Sequence, residues 1–104
     1  MIIKISKDFT DTPGARYISE GPFSGEQFRK EILKIKFDEA RIKGKKLTID
    51  FDGGYGYPTS FLEEAFGGLA RIYDADSVLK VLDFISNDEP SLIEEVISYI
   101  RSAK

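Results

Sequence analysis

Apolar residues recur along this chain in two rhythms. Short β-branched or aromatic runs with a period near two mark strands, and stripes at three- and four-residue spacing mark helices. Ile2, Ile3 and Ile5 form the first such run, a short strand. Residues 7–14 follow as a turn cluster containing Asp8, Asp11, Pro13 and Gly14. Arg16-Tyr17-Ile18 reads as a short second strand, antiparallel to the first and ended by Gly21-Pro22. Ser24 then caps a helix, with Gln27 three residues on as in a capping box. Phe28, Ile32, Leu33 and Ile35 fall on one side of that helix, Phe37 and Ala40 extend the stripe, and Gly44 supplies its C-terminal cap.

Leu47, Ile49 and Phe51 alternate with Thr48 and Asp50, which predicts a second long strand. A Gly/Tyr/Pro loop over residues 53–58 interrupts it, and a helix restarts at Thr59-Ser60, with Ser60 and Glu63 as a second capping box. Leu62, Ala65, Phe66, Leu69 and Tyr73 make the buried face of that helix. Gly67-Gly68 is unusual within it, because each glycine costs about 1 kcal/mol against alanine in a helix interior. The pair either ends the helix or lets it lie close to a neighbour. Val78 to Ile85 is almost continuously apolar and predicts a central strand buried on both faces. Leu92, Ile93, Val96, Ile97 and Ile100 form the stripe of a last helix. This alternation predicts one small α/β domain over residues 1–104, with a mostly parallel or mixed sheet covered by about three helices.

Composition narrows the chemistry. The chain has 104 residues, no cysteine and no histidine. Disulfides, thiolate nucleophiles, Ser-His-Asp catalysis and imidazole metal sites are all removed. Carboxylates are left as the metal ligands, which means Mg²⁺ or Ca²⁺. A formal net charge of −3 argues against nucleic acid as a partner. The basic cluster Lys43-Gly44-Lys45-Lys46 reads as a solvated turn, with a phosphate-binding patch as the lesser reading. No apolar run reaches the roughly 18 residues of a membrane span, and Met1-Ile2-Ile3-Lys4 does not begin a signal peptide. The expectation is a cytoplasmic protein without a membrane anchor and with no cofactor.

The stretch from Leu47 to Leu69 holds most of the candidate chemistry: a strand, a glycine loop and a helix N-terminus, the usual placement of a site in an open α/β sheet. Tyr55 and Tyr57 on the glycine loop suit a protein contact, each with an apolar body and a polar tip, although one ring packing on the domain's own edge is an equal reading. Thr59 and Ser60 stand where a helix dipole would stabilise an added phosphate, while Glu63 and Glu64 one turn on would repel it. Asp50-Phe51-Asp52-Gly53 at a strand end resembles the nucleophile motif of haloacid-dehalogenase-type phosphatases and raises a Mg²⁺ and phosphate-ligand reading at Asp50 and Asp52. The residue after that glycine is a second glycine rather than Thr or Val, and no downstream acidic pair completes such a site. Arg16 and Arg29 are lone arginines near a turn and a helix start, placed to reach a carboxylate of this chain or of a partner.

Three segments carry a family resemblance. They are Arg16-Tyr17 with Gly21 and Ser24-Gly25-Glu26-x-Phe28-Arg29, then Ile49-Asp50-Phe51-Asp52-Gly53, then Ser60-Phe61-Leu62-x-Glu64-x-Phe66-Gly67. On these the chain resembles the STAS-like domains of the uncharacterised bacterial and phage-associated family DUF4325, over nearly its whole length, and more distantly the anti-sigma-factor antagonists. The loop-to-helix stretch and the poverty of catalytic residue types point to a non-enzymatic interaction module, and the resemblance implies a regulatory one. Its partner would be a protein, such as a histidine-kinase-like ATPase, bound through Tyr55, Tyr57, Thr59, Ser60, Glu63 and Glu64. Thr59 or Ser60 would be the phosphoacceptor of a partner switch. The antagonists carry Asp-Ser-Ser-Gly at that place, whereas this chain has Pro58-Thr59-Ser60-Phe61. Two other classes stay open, the Asp50/Asp52 phosphate-ligand site and a phage-encoded inhibitor of a host system. A homodimer through a sheet edge or the Gly67-Gly68 surface is compatible with each.

Overall fold

The computed structural model describes residues 1–104. Three strands form one sheet in the order β1 (Ile2–Lys4), β2 (Leu47–Asp50), β3 (Leu82–Ile85), and both pairings are parallel. The register sets Ile3 beside Ile49 and Ile49 beside Phe84. Five helices accompany the sheet. Helix α1 (Ile5–Asp8) is one turn, α2 runs over residues 25–43, α3 over 59–73, α4 is Ala75–Val81 and α5 is Ser91–Ser102.

Side chains alternate across the sheet, as the pleat requires. Ile3, Leu47, Ile49 and Leu82 are buried beneath the helices. The opposite face carries exposed Ile2 and Asp83, with Lys4, Thr48, Asp50 and Ile85 half-exposed. Helices therefore cover one face, not both, and the sheet is wholly parallel. The expected strand at Arg16-Tyr17-Ile18 does not form; Ile18–Glu20 is a 3₁₀ turn, held by the Glu20 side chain accepting from the Tyr17 N–H at 2.9 Å. Ile5 leaves the first strand and starts α1, whose first turn is tied by the Lys4 N–H donating to Asp8 at 2.8 Å.

The run Val78–Ile85 is also corrected. Its first half belongs to α4, and β3 is an edge strand of four residues. Asp74 decides this. Its carboxylate accepts from the Ser77 N–H at 2.9 Å and caps a helix that absorbs Val78 and Val81 at helical spacing.

Both long helices contain a π turn, Arg29–Leu33 in α2 and Glu63–Gly67 in α3. In α2 the extra residue per turn stretches the buried stripe to Phe28, Leu33, Phe37 and Ala40, and Ile35 rotates out to solvent. The two helices meet at their N-terminal thirds. Phe28 stacks on Phe61 with centroids 5.8 Å apart and lies 6.2 Å from Phe66, all three fully buried. Each such pair adds about 0.5–1.5 kcal/mol beyond its area burial. The absent side chain of Gly25 permits the approach, because a Cβ there would lie 3.1 Å from both the carbonyl carbon and the Cα of Phe61 and closer still to its oxygen.

Candidate functional site

The carboxyl ends of β2 and β3 open into two loops that are laced together. Asp52 accepts from the N–H of Asn87 at 2.7 Å and of Asp88 at 2.9 Å on one oxygen, and from the Asn87 amide at 3.0 Å on the other. Asp88 returns a bond by accepting from the Gly53 N–H at 3.0 Å. Led by the Asp88 N–H, these donors hold the Asp52 carboxyl below its ordinary value. Asp50 accepts from the Asp52 N–H at 2.9 Å and lies 3.5 Å from the Lys4 ammonium. Both oxygens of Asp52 are therefore committed to the loops. No group of three or more acidic side chains is placed to hold a metal ion.

The two tyrosines part company. Tyr57 folds inward, its hydroxyl donating to the Phe51 carbonyl at 2.9 Å and its ring packing edge-on to Phe51 at 5.3 Å. Burial, helped by the nearby Asp50, Asp52 and Asp88 charges, pushes its phenol well above the ordinary value. It lines a cleft of about 190 Å³ between the glycine loop and the segment leading into α5. Tyr55 is 85% exposed, held only through its backbone N–H to the Asp11 carbonyl at 2.9 Å. Of the two rings, Tyr55 is the one offered to solvent.

Helix α3 starts differently from the capping-box expectation. Pro58 is the N-cap, no side chain caps the end, and Ser60 lies inside the first turn. The first main-chain bond is Leu62 N–H to the Pro58 carbonyl. The amides ahead of Leu62 are left free of helix partners, as at any uncapped N-terminus. Thr59 is exposed and Ser60 half-exposed at that end.

One turn on, Glu63 and Glu64 are engaged by arginines of the same chain. Glu64 is buried, paired to Arg29 at 2.8 Å and to Arg16 at 3.4 Å, and Arg29 also donates to the Glu64 carbonyl at 3.0 Å. Glu63 is paired to Arg16 at 2.5 Å and Arg71 at 2.7 Å. Hydrogen bonds from Arg71 and then Arg16 hold its carboxyl below the ordinary value. Three guanidinium groups thus surround two carboxylates, leaving the cluster one net positive charge. The repulsion expected from Glu63 and Glu64 is neutralised within the fold.

Gly67 and Gly68 are explained by this network. A Cβ on Gly67 would sit 2.5 Å from a Glu63 oxygen, and one on Gly68 would sit 2.8 Å from an Arg29 nitrogen. Both glycines are buried within the chain. The π turn that contains Gly67 sends the Gly68 N–H back to the Glu63 carbonyl, one residue beyond the α-helical partner.

A further group was not singled out in sequence. Tyr17, Ile18 and Phe23 are 47%, 49% and 40% exposed on the loop ahead of α2. This loop is linked to α3: Phe9 contacts both Phe23 (5.6 Å) and Phe61 (6.3 Å), and Gly25 lies against Phe61. Phe23 also holds a left-handed backbone at φ 59°, a conformation costly for a bulky residue. Its aromatic exposure and strained backbone together are a signal that spacing patterns do not carry.

No helix is long and apolar enough to cross a membrane. A family model described as a STAS-like domain of unknown function (DUF4325) matches residues 24–92. The match takes in α2, β2, α3, α4 and β3 but not β1 or the Arg16–Gly21 segment, so it is narrower than the whole-chain resemblance read from the sequence. No curated protein and no solved structure matches the chain.

Proposed function

We propose, from the premise that this chain belongs to the DUF4325 family of STAS-like domains, that it is a non-enzymatic module that binds a protein partner. The binding surface comprises Tyr55, the open start of α3 at Thr59, and the neighbouring Tyr17, Ile18 and Phe23. The observation that carries this reading is an exposed Tyr55 just ahead of an uncapped helix end, with exposed Tyr17, Ile18 and Phe23 on the loop that Arg16 ties to the same helix. Aromatic anchors of this kind supply most of the energy in protein interfaces.

Thr59 is the residue we assign to regulation. Its hydroxyl is exposed at the first position of a helix with free amides, and the arginines paired with Glu63 and Glu64 outnumber those carboxylates. A phosphate added there gains from the helix dipole and meets no unpaired glutamate. Tyr57 and Glu64, turned inward, serve the fold. The partner is a protein of the kind that phosphorylates its own ligand, as an ATPase of the histidine-kinase-like class does for the antagonists this chain resembles.

The test is co-purification from the source cell with wild-type protein beside Tyr55→Ala and Thr59→Glu, each checked for unchanged melting temperature. Loss of one specific partner in both variants supports the module and its switch. Equal recovery with all three proteins overturns this surface as the binding site.

A further inference from the structure

A second candidate lies at the opposite end of the sheet, before the strands rather than after them. Helix α2 ends at Lys43, and Gly44 turns the chain in the left-handed region at φ 64°. The Gly44 N–H donates to the Arg41 carbonyl and the Lys45 N–H to the Ala40 carbonyl, a Schellman closure. That turn delivers Lys45 and Lys46 just ahead of β2. The register of β2 on β3 pairs Leu47 with Leu82, which sets Lys46 beside the last turn of α4, where Lys80 and Val81 lie.

The result is a cleft of about 440 Å³ between the ends of α2 and α4. Arg41, Lys45, Lys46 and Lys80 line it, together with Ser77, whose hydroxyl donates to Asp74 at 3.0 Å, and with Ala40 and Val81 as its apolar part. No Asp or Glu lines it, although acidic residues outnumber basic ones by 18 to 15 in the chain. Six of the 15 basic side chains take part in no ion pair (Lys7, Lys45, Lys46, Lys80, Arg101 and Lys104), and three of these six line this one cleft. Arg41 is only loosely engaged, 3.9 Å from Asp38, with its guanidinium 4.8 Å from the Tyr73 ring centre.

Cations near helix C-termini offset the helix dipole, and that accounts for Arg41 and Lys80. It does not account for Lys45 and Lys46, which lie beyond the helix end and add like charge to the same concavity. Converging charge of one sign in a walled cleft focuses the field and concentrates counter-ions. The volume lies within the roughly 300–1,000 Å³ of small-molecule sites. We propose that this cleft binds a small anion bearing two or more phosphate groups. Four cations in one concavity suit a compact polyphosphate better than the long backbone of a nucleic acid, which needs an extended basic track.

The test uses the full chain and inorganic tripolyphosphate, titrated at about 150 mM salt where loose surface attraction is screened, with backbone amide NMR shifts as readout. A duplex oligonucleotide is titrated in parallel. The expected result is saturable binding, with shifts concentrated over residues 40–46 and 77–81. Each charge reversal turns an attraction for the anion into a repulsion. Lys45→Glu/Lys80→Glu should therefore weaken binding by about tenfold or more, and Lys7→Glu should not change it. Tripolyphosphate shifts that fail to saturate, that spread over the surface or that survive in the double variant overturn the proposal. Saturable binding of the duplex without binding of tripolyphosphate also overturns it.

Discussion

Gly25→Ala should unfold this protein's most specific contact. A Cβ at position 25 would meet the Phe61 backbone: its Cα and carbonyl carbon at 3.1 Å, and its oxygen inside the 3.0 Å that real Cβ atoms respect. A flexible side chain could swing away, but a helix backbone cannot. Helices α2 and α3 must separate, loosening the Phe28–Phe61 stack and the buried Phe61 ring. Overpacking of this kind costs about 1–3 kcal/mol, and a backbone obstacle places it at the upper end. The lower entropy of an unfolded chain with alanine returns roughly 0.4–1 kcal/mol. The net loss is about 2 kcal/mol. For a domain near 100 residues each 1 kcal/mol moves the melting temperature by about 4–8 °C, so calorimetry should show a fall of roughly 8–16 °C. Gly44→Ala is the comparison, since its site is open and only the left-handed backbone resists, at about 1 kcal/mol. A melting temperature for Gly25→Ala equal to or above wild type would refute the helix contact on which the shared motifs rest.

The Arg29–Glu64 pair should be non-additive. Arg29→Met alone leaves the buried Glu64 carboxylate with only its longer contact to Arg16 and should cost about 2 kcal/mol by urea unfolding, whereas Arg29→Met with Glu64→Leu should recover most of that loss. Asp52→Ala removes three bonds to the 87–88 loop; hydrogen exchange should quicken at the Asn87 and Asp88 amides and leave β2 protected. Acid should weaken the fold through Glu63. Its folded pKa lies below the ordinary 4.5, so its contribution is fully present above that value and is lost as pH falls through the folded pKa. Urea midpoints should therefore hold steady above about pH 5 and drop below it, and Arg71→Ala should flatten that acid limb.

Much of the scaffold was legible because local signals agreed. Ser24 caps α2 as its sequence predicts, its hydroxyl accepting from the Gln27 N–H at 3.0 Å. The stripe of α5 and the alternation of β2 also appear as expected. The errors have common physical causes. An apolar run of eight residues does not by itself separate helix from strand, and the Asp74 cap, not hydrophobicity, assigned Val78 to α4. The π turn of α2 rotates Ile35 out of the predicted stripe, a change without a compositional mark, whereas Leu62, Ala65, Phe66 and Leu69 of α3 are buried as the spacing predicts. The site was half legible. Tyr55 and Thr59 are exposed where the glycine loop meets α3, but Glu64 turns inward to Arg29, 35 residues away in sequence, and Tyr57 turns inward to the Phe51 carbonyl at the end of β2. Gly67-Gly68 looked like a surface and is instead the room left for Glu63 and Arg29.

The central claim is that the glycine loop and the start of α3 form the partner surface. The most direct measurement places a photo-crosslinking amino acid at position 55 or 59 in the source cell, with position 42 as the reference. Ile42 is 86% exposed on the last turns of α2, outside the proposed surface. The account predicts one discrete protein adduct from positions 55 and 59 and none from position 42. Adducts of equal yield from all three positions, or none from positions 55 and 59, would contradict it.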